Sequence, residues 1–243
     1  MDSMYGVRKT GCYIIIYKCN NFPLKYLPPT PQNLLDIVCT SLYTDNMETF
    51  IRSYTLPDVS VCDRIIKFFE NNTQLHQPGY FDTGIKETKV STDISISINQ
   101  EWLSEYGSGL QSCIDQYKKD YNNILDTVGS WGIVENIKIQ RYKPYEGYLE
   151  YHADRTGFYI ADRMMVFMTY LNDVKEGGET EWYFQKMKIK PRKGLTIIWP
   201  TDWNFLHKQT PTSKETMYTI KGWYNYYLES TMEKSKYEWN VYG

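Results

Sequence analysis

Several features are scarce in this chain of 243 residues, and each scarcity narrows the class of protein it can be. Cysteine occurs only five times, and no two cysteines have the Cys-x-x-Cys spacing of a zinc or thiol-redox motif. An odd number of scattered cysteines predicts reduced thiols in a cytoplasmic protein rather than a disulfide framework. No run of 18 apolar residues exists, so the sequence predicts neither a membrane-spanning helix nor a signal peptide.

An excess of charge of either sign is also missing. The chain has 27 basic and 29 acidic residues, a net charge of −2. This balance gives no broad attraction for nucleic acid or for an anionic membrane, so we expect neither as a partner, although a local basic groove is compatible with it. Hydrophobic residues make up 42% of the chain and aromatic residues 16%, which predicts a folded globular protein.

Changes in sequence pattern divide the chain into two parts. Residues 1–45 are expected to form an N-terminal extension, and residues 46–243 a single domain. Within that domain we predict a helical lead-in at 58–128, a β core at 133–228 and a polar tail at 229–243. In the lead-in, helical spacing of apolar residues is interrupted by KVSTDISISI, whose alternation indicates a strand. The β core consists of short strands separated by glycine-containing turns, which favours an antiparallel sandwich or barrel.

Histidine is rare, and two of the three histidines have a pattern that suggests metal binding. His152 and Asp154 are two residues apart at a predicted strand end, so their side chains lie on the same face. His207 follows the predicted strand LTIIWP and can complete the group from a strand adjacent in space. Two imidazoles and a carboxylate occupy one face of an octahedral Fe(II) and leave three positions for other ligands. His76, in TQLHQPGY, is interpreted as a loop residue outside this site.

The segments around these residues resemble a known family. RYKPYEGYLEYHAD, RMMVFMTYLNDVKEGGETEW, PRKGLTIIWP and HKQTPTSKETMYTIKGW are similar to the prolyl-4-hydroxylase-like branch of the Fe(II)/2-oxoglutarate-dependent oxygenases, in its viral and bacterial form. LPDVSVCDRIIKFFE and KVSTDIS extend the likeness, which covers about residues 47–226. The resemblance implies a mainly β fold with flanking helices around a double-stranded β-helix, or jelly roll.

The resemblance also implies roles for particular residues. His152, Asp154 and His207 correspond to the iron ligands, and Tyr142, Tyr170 and Thr180 to positions around 2-oxoglutarate. Arg163 and Trp223 correspond to positions that face the peptide or support the site, and Arg163 is included among the candidate catalytic residues. Gly177 and Gly178 are expected to serve the chain's turn rather than binding.

One position departs from the family pattern. The family places a Lys or Arg about ten residues after the distal histidine, where it pairs with the far carboxylate of 2-oxoglutarate, and Met217 stands there in this chain. Lys221 shares the strand face of Met217 and is the preferred substitute, although four residues span about 13 Å of strand. Lys214 and Arg163 are the alternative cations.

The resemblance therefore predicts an oxidoreductase, a dioxygenase that uses Fe(II), 2-oxoglutarate and O₂, with ascorbate as an optional reductant. Its expected substrate is an unactivated C–H bond, in the first place that of a prolyl residue in a protein or peptide. One alternative keeps the fold but takes a small molecule or nucleobase. A further alternative is a metal-binding scaffold that does not turn over 2-oxoglutarate.

Overall fold

The computed structural model describes residues 5–9, 12–16, 48–79 and 88–227. The chain divides into two compact units, residues 1–48 and residues 49–243. In the first unit the described residues form an antiparallel hairpin of β1 (Tyr5–Lys9) and β2 (Cys12–Ile16). Most of the predicted N-terminal extension (1–45) and the predicted polar tail at 229–243 lie outside the described residues.

Among its described residues, the second unit contains two antiparallel sheets and two helices. The helices are α1 (Ser60–Asn71) and α2 (Ser104–Asp120), and short 3-10 turns occur at 73–75, 101–103, 124–127, 158–160 and 203–205. The strands are β3 (Arg52–Thr55), β4 (Gln77–Pro78), β5 (Lys89–Val90), β6 (Thr92–Ile96), β7 (Trp131–Gly132), β8 (Ile137–Tyr142), β9 (Gly147–His152), β10 (Arg163–Tyr170), β11 (Thr180–Trp182), β12 (Met187–Ile189), β13 (Leu195–Pro200), β14 (His207–Gln209) and β15 (Met217–Tyr226).

The larger sheet has the strand order β3-β13-β10-β15-β8-β6-β4, with β7 paired to β15. The smaller sheet has the order β12-β11-β14-β9-β5. Strands that are consecutive in the chain can belong to different sheets: β5 lies in the smaller sheet, and β6, which follows Ser91, lies in the larger one. The two sheets are therefore the layers of one jelly roll. The predicted mainly β fold with flanking helices is confirmed.

The large sheet buries both of its faces, and strand β10 shows why its sequence is apolar throughout. Met165 and Phe167 on one face belong to the core that includes α1 and α2, whereas Val166, Met168 and Tyr170 on the other face belong to a second core containing residues of both sheets. A strand covered on both sides loses the hydrophobic–polar alternation of a half-exposed strand. RMMVFMTY is such a sequence.

The sheets include strands from outside the predicted β core of 133–228. Inside the lead-in at 58–128, the strand predicted at KVSTDISISI is present as β5 and β6, and β6 pairs with β8 in the large sheet. The large sheet also includes β3, which pairs with β13, and β4, which pairs with β6. The positions of β3 and β4 depend on pairing over long sequence separations, which local periodicity does not reveal.

The structure also shows the surroundings of two cysteines and of His76. Cys62 and Cys113 are buried free thiols, and burial raises the pKa of each to about 11. The described residues contain no helix of the length and apolar character that a membrane crossing requires. His76 lies beside α1, where its ring stacks on Phe69, as a residue outside the candidate site.

Candidate metal centre and active-site cavity

Two paired strands, β9 and β14, bring the predicted metal ligands together. His152 ends β9, Asp154 follows two residues later, and His207 begins β14, whose first residue pairs directly with His152. One ligand atom from each of the three side chains lies within 4.8 Å of the others. His207 Nε2 is 3.3 Å from an Asp154 oxygen. The geometry thus places the three side chains as one potential facial ligand set for Fe(II).

Backbone carbonyls orient both imidazoles for metal binding. The Nδ1 atom of His152 is 3.2 Å from the carbonyl oxygen of Glu150, and that of His207 is 3.0 Å from the carbonyl oxygen of Phe205. Because a carbonyl only accepts, each Nδ1 must carry the hydrogen, and each Nε2 keeps its lone pair for a metal. The His152 ring is further held by stacking on Tyr148, with ring centroids 3.5 Å apart.

Burial and neighbouring charges set the protonation states that a metal site needs. Burial lowers the pKa of His152 well below its ordinary value and that of His207 to about 4, so both rings are neutral near pH 7. Burial opposes ionisation of Asp154, but the Lys221 ammonium and the two histidines outweigh it and hold the pKa of this carboxyl below its usual range. Two neutral imidazoles and one carboxylate fit Fe(II) in charge and in donor type.

A cavity of about 600 Å³ opens beside the three ligands, and most of the residues expected at the site line it. Tyr142, Thr180, Lys221, Arg163 and Trp223 are all at its wall. These side chains all reach the cavity because the strands β8, β10, β11 and β15 each direct one row of side chains toward it.

Tyr170 differs from this expectation because it is completely buried behind the wall rather than at it. Its hydroxyl is 2.5 Å from the Thr180 hydroxyl and donates to the carbonyl oxygen of Ile189 at 3.2 Å. The Thr180 hydroxyl in turn donates to Gln209 Oε1 at 3.0 Å. Tyr170 therefore positions Thr180 and Gln209, both of which line the cavity.

The position that departs from the family pattern is an apolar, buried one. Met217 is completely buried, and its sulfur is 3.8 Å from Gln209 Nε2. Neither Lys214, in the loop, nor Arg163, on β10, places its cation at this position. Lys214 is 79% exposed and pairs with Glu176, whereas Arg163 pairs with Glu135 and stacks over Trp223 with 3.7 Å between its Cζ atom and the ring centroid.

Lys221 is in the cavity but is engaged by the metal-ligand carboxylate. Its Nζ atom donates to both oxygens of Asp154, at 2.9 and 3.2 Å. A contact with 2-oxoglutarate stays a prediction for this residue, and the structure adds a second role, which is to fix the orientation of Asp154.

Polar residues of the cavity wall that sequence reasoning missed include Lys89, Lys138, Gln140 and Gln209. Lys89 Nζ donates to Asp93 at 2.7 Å, and Gln140 Nε2 donates to the same carboxylate at 3.0 Å. Alternation in IKIQRY places Lys138 and Gln140 on the face of Tyr142 and could have indicated them. Lys89 begins the predicted strand KVSTDISISI, but alternation alone does not reveal that its β5 part pairs with β9 beside the cavity.

Comparisons with known proteins agree with this geometry. Residues 137–225, which contain all three potential ligands, match the family model of the 2OG-Fe(II) oxygenase superfamily. Among curated proteins no match to the sequence is found. The segment 137–225 thus has the sequence pattern of the 2OG-Fe(II) oxygenase superfamily. This match and the geometry of His152, Asp154 and His207 support a 2-oxoglutarate-dependent dioxygenase that uses Fe(II), 2-oxoglutarate and O₂.

Several solved structures with a similar fold are prolyl hydroxylases. The viral collagen prolyl hydroxylase of Paramecium Bursaria Chlorella virus-1, in a 2OG complex, has a TM-score of 0.57 at 19% identity, covering 74% of this chain and 98% of that one. A prolyl-4-hydroxylase of Pseudomonas putida has a TM-score of 0.56 at 16% identity, covering 80% and 100%. A Trichoplax adhaerens prolyl hydroxylase, in complex with a hypoxia inducible factor peptide fragment, has 0.58 at 18%, covering 80% and 90%. At these identities the likeness describes the fold.

Proposed function

We propose that this dioxygenase hydroxylates a prolyl residue of a peptide or protein. The observation that carries the proposal is the wall made by Arg163 and Trp223, where the guanidinium carbon lies over the indole ring at 3.7 Å from its centroid, beside the metal ligands. Arg163 Nη1 also donates to the backbone carbonyl of Asp154 at 3.2 Å, which ties this wall to the ligand set. A flat aromatic and guanidinium surface suits the apolar ring of proline, and the similar folds are those of prolyl hydroxylases.

The iron site in this proposal consists of His152, Asp154 and His207. When bound, Fe(II) supplies the activation of O₂ that couples decarboxylation of 2-oxoglutarate to hydroxylation. The protein's part is to hold the two imidazoles through their Nδ1 hydrogens and the carboxylate through Lys221, so the ligands are ordered before the metal arrives.

The co-substrate end of the cavity is proposed to hold 2-oxoglutarate through uncharged donors. Tyr142, Thr180 and Gln209 line the cavity, and Tyr170 supports Thr180 from behind. A buried carboxylate is costly unless donors satisfy it, and hydroxyl and amide groups are the donors available next to Met217. Thr180→Val is therefore expected to raise the KM for 2-oxoglutarate while leaving Fe(II) affinity unchanged.

The substrate proposal is tested with proline-containing peptides and small molecules in parallel. The enzyme is supplied with Fe(II), 2-oxoglutarate and O₂, and mass spectrometry follows the gain of one oxygen atom. We expect the oxygen on a prolyl residue of a peptide, with equimolar succinate. Succinate formation that depends on free proline, another small molecule or a nucleobase, with no peptide modified, would replace the prolyl-peptide proposal by the small-molecule alternative.

A further inference from the structure

A row of polar side chains crosses the small sheet inside the active-site cavity. Strand register places Lys89 of β5 opposite Tyr148 of β9, and Tyr148 opposite Gln209 of β14. Gln209 is in turn opposite Thr180 of β11. All four side chains line the cavity, and we call them the polar row.

The polar row lies between the metal ligands and the position that departs from the family pattern. The ring of Tyr148 stacks on the ring of His152, with the two centroids 3.5 Å apart. Gln209 Nε2 is 3.8 Å from the Met217 sulfur. The row therefore occupies the end of the cavity that is proposed above to hold 2-oxoglutarate.

Lys89 provides the positive charge of the polar row. Gln209 and Thr180 are uncharged donors, which can satisfy the oxygens of a buried carboxylate but cannot balance its charge. Because burial of an unbalanced charge is costly, a carboxylate at this end of the cavity needs a cation within reach. The Lys89 side chain is itself part of the buried wall, with 6% of its surface exposed.

A buried carboxylate holds the Lys89 ammonium in the wall. The Lys89 Nζ atom donates to Asp93 at 2.7 Å. Asp93 also accepts from Ser91 Oγ at 2.7 Å and from Gln140 Nε2 at 3.0 Å. An ammonium group has three N–H donors, of which Asp93 takes one, and Ser91 and Gln140 continue to satisfy Asp93 when the lysine also donates to a second carboxylate. The ammonium is therefore in place before a co-substrate arrives.

Two other lysines of the cavity wall lie far from Met217. Met217 is opposite Tyr142 in the register of β15 and β8. Lys221 is opposite Lys138 in the same register, four residues from that pair, which is about 13 Å of strand. Lys221 also donates to both oxygens of Asp154. Both lysines are thus remote from the place where the family has its base.

We infer that Lys89 supplies the positive charge for the distal carboxylate of 2-oxoglutarate, in place of the basic residue that this chain lacks at position 217. Lys89 lies in the small sheet and outside residues 137–225, which match the family model, whereas Met217 lies in the large sheet. The cation would thus reach the same carboxylate from the opposite wall of the cavity. The inference deepens the co-substrate part of the proposed function and rests on the use of 2-oxoglutarate, but not on the prolyl substrate.

The test compares 2-oxoglutarate with 2-oxopentanoate, which carries a methyl group in place of the distal carboxylate. Each is titrated into the Fe(II)-loaded protein without O₂, and the charge-transfer absorbance of the chelated 2-oxo acid gives its dissociation constant. We expect the wild type to bind 2-oxoglutarate at least about tenfold more tightly, as for a charge-assisted contact. Lys89→Met should remove most of this preference and leave Fe(II) affinity unchanged.

Two further variants separate a role in binding from a role in folding, because Lys89→Met leaves the Asp93 carboxylate without its ammonium. Asp93→Asn keeps the lysine and removes the competing negative charge, so it should bind 2-oxoglutarate more tightly than the wild type does. Lys89→Met combined with Asp93→Asn should lack the preference and remain folded by circular dichroism. Loss of the preference in Asp93→Asn alone would show that the ion pair serves the fold, and would overturn the inference.

A rescue variant tests the position of the cation directly. Adding Met217→Lys to Lys89→Met returns a basic residue to the family position and should restore the preference for 2-oxoglutarate. The matched control is Lys208→Met, which removes another lysine of the cavity wall and should keep the preference.

The outcomes distinguish this inference from the proposed use of 2-oxoglutarate. A charge-transfer band in the wild type, with the preference intact in the folded double variant of Lys89 and Asp93, would overturn the role of Lys89 alone. An equal loss of preference in Lys208→Met would do the same, because it would show a general effect of cavity charge. Absence of the band with 2-oxoglutarate in the wild type would overturn the co-substrate proposal together with the inference.

Discussion

At the scale of single residues, the chemistry depends on how a few buried groups fix one another. Asp154 accepts from Lys221, approaches His207, and receives no competing backbone donor among the described contacts. Each histidine donates through Nδ1 to a carbonyl two residues before it. The same short-range hydrogen bond on two strands therefore gives both imidazoles the same tautomer, in which each Nε2 atom can bind one metal.

Removing any one ligand should remove the metal site without unfolding the protein. We expect His152→Ala, Asp154→Ala and His207→Ala each to lose Fe(II) binding by at least about tenfold and to form no succinate, because each supplies one third of the protein's coordination face. Equilibrium Fe(II) titration and succinate assays measure this, with circular dichroism as the check of folding. Full activity in any one variant would contradict the assignment.

Two roles are predicted for Lys221, and one experiment separates them. The sequence predicts that Lys221→Ala raises the KM for 2-oxoglutarate about tenfold, equivalent to ~1.4 kcal/mol of lost pairing. The structure predicts instead that Fe(II) affinity falls by about tenfold, because Asp154 loses both hydrogen bonds from the ammonium. Fe(II) affinity and the KM for 2-oxoglutarate are measured in the same variant, with Lys214→Ala and Arg163→Ala for comparison. A raised KM with unchanged Fe(II) affinity would assign Lys221 to the co-substrate.

The sequence indicated some of these residues and not others for physical reasons. His152 and Asp154 are recognisable because strand periodicity alone puts them on one face. His207 could be joined to them only through the resemblance and the expected sandwich. Lys138 was missed because a lysine on a half-buried strand has the same local pattern whether its ammonium reaches solvent or a cavity.

At the scale of elements, the jelly roll depends on strands that pack closely on both faces of the large sheet. Gly222 of β15 lies directly opposite Phe167 of β10, and a Cβ atom at this glycine would come within 2.4 Å of the Phe167 ring and 2.8 Å of Ile137. The glycine therefore lets an aromatic ring cover the strand next to Trp223. Gly177 and Gly178 have positive φ angles of 78° and 75°, which explains glycine at both positions.

Gly222→Ala is accordingly predicted to destabilise the domain by about 1–3 kcal/mol, the usual cost of overpacking a core. Chemical denaturation with urea measures the change in the free energy of unfolding. Gly129→Ala is the control, because a Cβ atom there meets nothing within 4 Å. Equal stability of the two variants would show that the contact between β10 and β15 is looser than described.

The elements were predictable where their signal was local. The helix spacing after Asp58 and the alternation in KVSTDISISI correspond to α1 and to β5 with β6. The three-residue strands β11, β12 and β14 of the small sheet, and the pairing of β3 with β13, depend on long-range contacts and carry little periodicity of their own.

At the scale of the whole molecule, charge is unevenly distributed rather than absent. Five cations line one cavity of a chain whose net charge is −2, and carboxylates pair with Lys89, Arg163, Lys208 and Lys221 there. Such a distribution disfavours long polyanions, because duplex binding needs many phosphate contacts spread over an extended face.

We therefore predict no useful affinity for duplex DNA at physiological salt. The chain has 27 basic residues against 29 acidic ones, which leaves little net charge for phosphate neutralisation. A mobility-shift assay across a range of salt concentrations measures this. A salt-dependent shift at submicromolar protein would contradict the prediction and favour the nucleobase alternative.

The central claim is that His152, Asp154 and His207 hold one iron ion to which 2-oxoglutarate binds. The most direct measurement is an anaerobic titration of the protein with Fe(II) and then 2-oxoglutarate, followed by the visible charge-transfer absorbance that appears when a 2-oxo acid chelates Fe(II). We predict saturation at one iron and one 2-oxoglutarate per chain in the wild type, and no such band in His207→Ala. Absence of the band in the wild type, or its persistence in the variant, would contradict the account.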